Sequence, residues 1–189
     1  RPAALIVDTV FASDGVHSDV VGFAAAVAAA RAAGALFIAD EVQPGFGRLG
    51  GHDAAGTETG LWGFARHGLR PDLVTLGKPM GNGHPIADVV GRAAPIAEFA
   101  ARGRYFNTFG GNPVSIAAAQ ATLDVVRDEQ LPANARRVGA AVAEAVRAMP
   151  GVVEVRGAGL FIGVELESTD AALTVVQRMR DRRILIATA

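Results

Sequence analysis

Short apolar runs alternate with longer, helix-forming segments from residue 3 to about residue 115. The runs at 3–8, 35–42 and 70–77 are bounded by turn residues and are typical of strands buried on both faces of a parallel sheet. The alanine-rich segment 19–34 lies between the first two runs and ends on a glycine, and Asp19 is predicted to cap its start. This alternation predicts an α/β fold with a mostly parallel sheet.

After residue 115 the chain is predicted to form helices around a small second sheet. Its helices are predicted at 112–130, 131–151 and 169–182, and its strands at 152–166, as two strands around a glycine turn, and at 183–188. Before residue 115, helices are also predicted at 61–68 and 94–103, and a further strand at 86–92. We therefore predict two domains, which comprise residues 1–115 and 116–189.

The composition excludes several kinds of partner and site. A net charge of −1 provides no electrostatic surface for nucleic acid or for an anionic membrane. There are no cysteines, and the four histidines are scattered, so no metal site is predicted. No apolar run approaches the ~18 residues of a membrane span, and no signal peptide is visible. We predict a cytoplasmic protein whose ligand is a small molecule.

Both ends of the chain suggest a longer polypeptide. The sequence opens on Arg1 without an initiator Met and enters an apolar run almost at once. It also ends directly after the predicted strand at 183–188. We therefore expect the chain to be a fragment, so a missing motif carries little weight.

Charged residues follow the predicted parallel strands at the positions where each strand ends. Asp8 ends the first strand, Asp40 and Glu41 end the second, and Lys78 follows the third. Ligands of α/β sheets bind at the carboxyl ends of the strands. Because neighbouring strands lie only ~4.8 Å apart, Asp40 and Lys78 are predicted to face one site.

Lys78 is the one lysine among 18 lysine and arginine residues. A P-loop ATPase also places acidic residues after an apolar strand, but its phosphate loop requires Gly and Ser/Thr where Asp72 and Pro79 stand. An arginine-rich chain would supply charge alone with arginine, so we infer that position 78 requires an amine. Pyridoxal phosphate chemistry requires an imine-forming lysine and a carboxylate beside the pyridine nitrogen.

Four motifs occur in an order that resembles the class III aminotransferases, which are pyridoxal-phosphate enzymes of fold type I. They are ADEVQPGFGRLG at 39–50, RPDLVTLGKPMGNGHPIADVV at 70–90, YFNTFGGNPVSIAAAQATLDVV at 105–126 and VRGAGLFIGVEL at 155–166. The resemblance covers nearly the whole chain. It implies that 1–115 is the C-terminal part of the large, mostly parallel-sheet domain, which binds the cofactor. It also implies that 116–189 is part of the small C-terminal α+β domain.

The resemblance implies roles for four residues around the cofactor ring. Lys78 would form the Schiff base with pyridoxal 5′-phosphate, and Asp40 would pair with its pyridine nitrogen. Val42 would pack against the ring, and Gln43 would reach the 3′-oxygen.

The resemblance also implies a homodimer. Thr108, with Asn107 beside it, would bind the cofactor phosphate across the dimer interface, so one active site would need two chains. The family's upstream phosphate loop and stacking aromatic, and its downstream substrate-binding arginine, are absent from the sequence. Asp8 and Thr9 stand where the family usually has Glu-Pro, so the resemblance assigns Asp8 no role.

Three functions follow from these motifs. The first is transamination of an amino substrate to a keto acid through Lys78. The second is a phospho-lyase reaction, since the sequence around Lys78 is most similar to that of the phospho-lyase branch of the family. Enzymes of this branch eliminate phosphate and ammonia from amino alcohol phosphates such as phosphoethanolamine. The third is a truncated interaction domain without catalysis.

Three polar residues near these motifs are predicted to be structural. His84, in a Gly-Asn-Gly-His-Pro loop, is predicted to support a turn. Arg48 and Arg156 are predicted to brace loops through carboxylates or carbonyls, as the bidentate guanidinium favours.

Overall fold

A computed structural model describes residues 1–188 and confirms the predicted alternation of strands and helices. The strands are β1 (Ala4–Asp8), β2 (Leu36–Asp40), β3 (Leu73–Leu76), β4 (Asp88–Gly91), β5 (Val152–Ala158) and β6 (Phe161–Leu166). The α-helices are α1 (Phe23–Ala32), α2 (Gly63–Arg66), α3 (Ala93–Arg102), α4 (Pro113–Asp128), α5 (Leu131–Arg147) and α6 (Thr169–Asp181). The observed strands are shorter than the predicted runs, because residues at the ends of each run belong to turns.

The first sheet has the strand order β1-β2-β3-β4. β1 pairs with β2 and β2 pairs with β3 in parallel, while β4 pairs antiparallel with β3. The mostly parallel sheet predicted from the sequence is therefore confirmed. Its register places Asp8 opposite Asp40, and Asp40 opposite Thr75.

One face of this sheet forms the hydrophobic core. Phe37 and Ala39 of β2 are fully buried against Phe23 and Val27 of α1. The Phe23 ring also lies edge-on to the rings of Phe37 and of His67, which α2 positions. Burial of these apolar side chains is the main force that holds α1 against the sheet.

The opposite face of the sheet is open. Ile6 of β1 is 58% exposed, and Val89 of β4, which lies opposite Thr75, is 51% exposed. The prediction that these strands are buried on both faces is therefore wrong for this chain. Alternation of side chains along each strand puts half of them on the open face.

The second sheet is the hairpin of β5 and β6, which pair antiparallel. This confirms the two predicted strands around a glycine turn. Arg156 on β5 ties the hairpin to the turn after β1, since its Nε donates to the Gly15 carbonyl oxygen at 3.0 Å. The same guanidinium pairs with Glu154 and Glu165, so the predicted bracing role of Arg156 is confirmed.

Two other predictions on secondary structure are wrong. Asp19 does not cap α1, which begins at Phe23 after Gly22; its carboxylate instead pairs with Arg66 at 2.9 Å. The segment 183–188 is not a strand, since no strand of residues 1–188 pairs with it and Leu185 is 85% exposed. A strand needs a neighbour for its backbone hydrogen bonds, and sequence pattern alone does not supply one.

The predicted domain boundary at residue 115 falls in the first turn of α4 and stays a prediction. Among residues 1–188, no helix combines the length and the apolar character that crossing a membrane requires.

Backbone atoms approach closely where α5 meets the β5–β6 turn. A Cβ built on Gly139 of α5 would lie 1.8 Å from the Gly159 carbonyl oxygen. Real Cβ atoms do not approach backbone so closely, so this contact requires glycine at position 139. The contact holds α5 against the hairpin.

We expect Gly139→Ala to lower the free energy of unfolding by about 1–3 kcal/mol, because the added methyl must push the β5–β6 turn away. Urea unfolding measures the change. Gly103→Ala is the control, since its Cβ would meet its nearest atoms at 3.5 and 3.7 Å, which is ordinary contact. Equal stability of the two variants would show that α5 and the turn are not packed as described.

Candidate functional site

A row of polar residues crosses the open face of the sheet at its carboxyl edge. Asp8, Asp40 and Thr75 occupy neighbouring positions on β1, β2 and β3. Asp8 is engaged locally, since its two carboxylate oxygens accept from the backbone N–H groups of Val10 and Ala12 at 3.0 and 2.9 Å. Asp8 therefore closes the turn after β1, and Asp40 is the carboxylate that this row leaves for other partners.

Asp40 uses one of its two carboxylate oxygens within the chain. Its Oδ1 accepts from the Val42 backbone N–H and from the Thr75 hydroxyl, both at 3.0 Å. Within residues 1–188 no donor reaches Oδ2. Every buried side-chain oxygen in that range has a hydrogen-bond partner, so an oxygen without a partner is not buried. Oδ2 is therefore accessible to solvent, on the open face of the sheet.

Glu41, the next residue, is buried on the opposite side. Its Oε2 accepts from the Gly63 N–H at 2.7 Å, and its Oε1 accepts from the Phe64 N–H at 2.8 Å and from the Thr9 hydroxyl at 3.1 Å. The carboxylate thus caps α2 and joins it to the turn after β1. A Cβ on Gly63 would lie 2.3 Å from the Thr9 Oγ1, so only glycine fits there.

Burial raises the pKa of Glu41 to about 7, although its three hydrogen-bond donors favour the charged form and act in the opposite direction. Burial also lowers the pKa of His67, whose Nε2 lies 2.7 Å from the Thr9 carbonyl oxygen. Since that carbonyl only accepts, Nε2 carries the proton. The turn after β1 is therefore held by the His67 imidazole on one side and by Glu41 on the other.

Lys78 follows β3 and opens a turn of 3-10 helix that spans Lys78–Gly81. Its side chain is exposed and its φ is 35°, in the left-handed region that residues other than glycine seldom adopt. Such backbone conformations cost about 1–3 kcal/mol and concentrate at functional sites. The surrounding turn fixes this conformation and directs Lys78 away from the core.

Lys78 shares a cleft with two more of the predicted residues. Val42, Gln43, Arg48 and Lys78 line a cleft of about 400 Å³, whose other wall is formed by residues 160–162 of the β5–β6 hairpin. Asp40 is not part of this lining; it lies beside the cleft, at the edge of the sheet. The structure thus brings the four predicted ring-binding residues to neighbouring positions after β2 and β3.

Arg48 does not brace its loop through its side chain as predicted. Within residues 1–188 no hydrogen bond or ion pair involves its guanidinium. Its backbone oxygen instead accepts from the Leu160 N–H at 3.0 Å, which joins the loop to the hairpin. The guanidinium therefore stays exposed at the cleft.

His84 anchors the lysine loop, which confirms its predicted structural role. Its Nε2 lies 2.9 Å from the Ser115 hydroxyl at the start of α4. The Ser115 hydroxyl donates to the Pro85 carbonyl oxygen at 3.4 Å and accepts from the Asn112 amide, so the imidazole donates from Nε2. This network fixes the position of the loop that carries Lys78 relative to α4.

Asn107 and Thr108 do not meet Lys78 within one chain. Both are exposed and absent from the cleft lining. The Asn107 Oδ1 accepts from the Phe109 and Gly110 N–H groups, each at 3.0 Å, so this side chain shapes its own loop. The predicted phosphate-binding role of these two residues, across a dimer interface, stays a prediction.

Sequence reasoning missed two contributors to this geometry. Thr75 interrupts the apolar run of β3, and a polar residue in the row of Asp40 would have been a usable signal. In the sequence, Glu41 is distinguished only as the neighbour of Asp40. Its burial depends on the distant Gly63 N–H, which no local pattern indicates.

The fold matches solved structures of PLP fold-type I aminotransferases. An Arthrobacter phospholyase, solved in complex with phosphoethanolamine, matches 96% of this chain with a TM-score of 0.84 and 39% identity. An ornithine aminotransferase from Toxoplasma gondii, solved with partial occupancy of PLP at its active site, matches 98% with a TM-score of 0.83 and 31% identity. This chain covers 44% and 43% of those two chains.

The chain belongs to the class III aminotransferase family, which matches residues 2–189. It is 41% identical over 179 residues to an alanine–glyoxylate aminotransferase 2-like protein of Drosophila melanogaster. The matched region is 87% of this chain and 35% of that protein. The chain is 42% identical over 140 residues to human mitochondrial alanine–glyoxylate aminotransferase 2. The matched region is 72% of this chain and 26% of that protein. The chain thus spans about a third of these curated relatives.

The raised pKa of Glu41 makes stability depend on pH. Between the ordinary pKa of 4.5 and the folded value of about 7, the folded state binds more protons, so the free energy of unfolding falls as pH rises. We expect the wild type to lose about 3 kcal/mol between pH 4.5 and 8 from this group. Glu41→Gln, which does not titrate, should lack this loss, although it leaves the Gly63 N–H without an acceptor and costs about 1–3 kcal/mol.

Urea unfolding at pH 5, 6, 7 and 8 measures the difference between wild type and variant. Glu167→Gln, which removes an exposed carboxylate, is the matched control and should parallel the wild type. Parallel profiles for Glu41→Gln and the wild type would mean that Glu41 is already ionised at pH 5.

Proposed function

We propose that the complete protein is a pyridoxal-phosphate-dependent aminotransferase that transfers an amino group from its substrate to a keto acid. The observation that carries this proposal is the placement of Asp40 and Lys78. Asp40 ends β2 and Lys78 follows β3, the adjacent parallel strand, in a chain of the class III aminotransferase family. The accessible Oδ2 of Asp40 fits a cofactor that brings its own N–H donor.

Each residue near the cleft then has a defined task. Pyridoxal phosphate, when bound, supplies an aldehyde that reacts with amines and a protonated ring that accepts an electron pair. The Lys78 amine would hold the cofactor and, when free, would take a proton from the substrate α-carbon. Asp40 would hold the proton on the ring nitrogen. Val42 would cover a face of the ring, and Gln43 would donate a hydrogen bond to the ring oxygen.

We also propose that the protein works as a homodimer. The segment with Asn107 and Thr108 carries Tyr105, Phe106 and Phe109, which are 73%, 85% and 78% exposed. Such a concentration of exposed aromatic side chains is typical of an interaction surface. A second copy seated there would bring Thr108 to the phosphate of its partner's cofactor.

A phospho-lyase is the second candidate function. It is supported by the 39% identity to the Arthrobacter phospholyase, which was solved with phosphoethanolamine. The relatives named alanine–glyoxylate aminotransferase favour transamination instead. In both reactions Lys78 would remove the same proton. Elimination then follows when the β-carbon of the substrate carries a leaving group, and transamination follows when it does not.

A non-catalytic interaction domain is the third candidate, since the chain spans only part of its relatives. The retained pair of Asp40 and Lys78 favours catalysis over this alternative. A cytoplasmic location stays a prediction.

Covalent cofactor binding tests the proposal directly. When the complete gene product is mixed with pyridoxal phosphate, we expect an absorption band at about 420 nm, which is typical of a cofactor bound to lysine as an imine. Lys78→Ala should abolish the band, and Lys78→Arg should abolish it as well, because a guanidinium keeps the charge and forms no imine. A band that persists in Lys78→Ala would assign the covalent link to another group, and the proposal would be wrong.

Two substrates distinguish the two reactions. With alanine and glyoxylate, a transaminase forms pyruvate and glycine and releases no ammonia. With phosphoethanolamine, a phospho-lyase releases inorganic phosphate and ammonia in equal amounts. We expect the first outcome, with at least about a hundredfold loss of rate in Lys78→Ala, since the variant lacks its proton-transfer group. Phosphate release without amino transfer would favour the lyase.

A further inference from the structure

Thr75 is the polar residue in the otherwise apolar strand β3. It lies opposite Asp40 of β2 in the parallel register, so the two side chains occupy the same face of the sheet. The Thr75 hydroxyl donates to the Asp40 Oδ1 at 3.0 Å. Because a carboxylate only accepts, the direction of this hydrogen bond is fixed.

A second donor reaches the same oxygen from another direction. The Val42 backbone N–H, two residues after Asp40, donates to Oδ1 at 3.0 Å. The last torsion of an aspartate side chain is broad, so one donor leaves the carboxylate free to rotate. Two donors on one oxygen, one from β3 and one from the turn after β2, restrict that rotation and leave Oδ2 on the accessible side.

The neighbouring carboxylate, that of Asp8, takes no part in this orientation. Asp8 stands on the other side of Asp40 in the same row, but its oxygens are held by the backbone N–H groups of Val10 and Ala12. Asp40 therefore receives no donor from β1, and Thr75 is the one side chain among residues 1–188 that orients it.

We propose that Thr75 is a positioning residue, which fixes the Asp40 carboxylate so that Oδ2 faces the ring nitrogen of bound pyridoxal phosphate. The inference rests on the proposed function, because it concerns the same cofactor site. Thr75 itself touches no reacting atom; it acts through Asp40. Loss of its hydroxyl leaves Oδ1 with the Val42 N–H alone, and the carboxylate then samples orientations that do not meet the ring nitrogen.

The test compares two ligands by equilibrium titration, without any turnover. The first is pyridoxal phosphate, and the second is its 1-deaza analogue, which has carbon in place of the ring nitrogen. We expect Thr75→Val, which keeps the shape and removes the hydroxyl, to bind pyridoxal phosphate about tenfold more weakly, in line with loss of one hydrogen bond to a charged group. Its affinity for the deaza analogue should not change, and Thr75→Ser should restore wild-type binding of both.

Thr174→Val is the matched control, since its hydroxyl bonds the Asp170 carbonyl oxygen on the exposed helix α6. If Thr75→Val does not fold, Thr75→Ala takes its place with the same expectations. Unchanged binding of pyridoxal phosphate would overturn the inference. Equal weakening of both ligands would also overturn it, because the hydroxyl would then support only the fold. A wild-type protein that binds neither ligand would overturn the proposed function itself.

Discussion

The buried carboxylate of Glu41 is the interaction on which the rest of the site depends. It accepts the N–H groups that begin α2 and the hydroxyl of Thr9, so one side chain joins the turn after β1, the end of β2 and a helix 22 residues away. A fully buried carboxylate is tolerable only when such donors surround it. Removal of any one of them would leave a costly polar group in the core, which makes this arrangement difficult to alter piecemeal.

Strand alternation separates this buried carboxylate from the accessible carboxylate of Asp40. Asp40 and Glu41 are adjacent in the sequence, yet Glu41 lies inside and Asp40 faces the open side of the sheet. The backbone of Glu41 also donates to the Thr75 carbonyl oxygen at 3.0 Å, which fixes β2 to β3 directly beside Asp40. Rigid attachment on one side of the strand therefore positions the accessible carboxylate on the other, as binding sites built on strands require.

The cleft beside Lys78 is assembled from distant parts of the chain. Its first wall follows β2 and β3, and its second wall is the β5–β6 hairpin. The hairpin is held in place by Arg156, by the Leu160 bond to the Arg48 carbonyl oxygen and by the close approach of Gly139 to Gly159. The chain covers 35% of the Drosophila relative and 44% of the Arthrobacter phospholyase.

The sequence by itself determined most of the element types and pointed to Asp40 and Lys78 as the residues of a candidate site. Periodicity is a local property, so the parallel strands, the long helices and the hairpin were predictable. A single lysine and an aspartate after neighbouring strands indicated the site, and the ordered motifs indicated the family. Tertiary structure decided what depends on distant partners. In the structure one face of the sheet is exposed, and the segment 183–188 pairs with no strand. Asp19 forms an ion pair with Arg66 instead of capping α1. Tertiary structure also set Thr75 against Asp40 and buried Glu41 against Gly63, because hydrogen bonds between segments follow register and packing, which no local window of sequence contains.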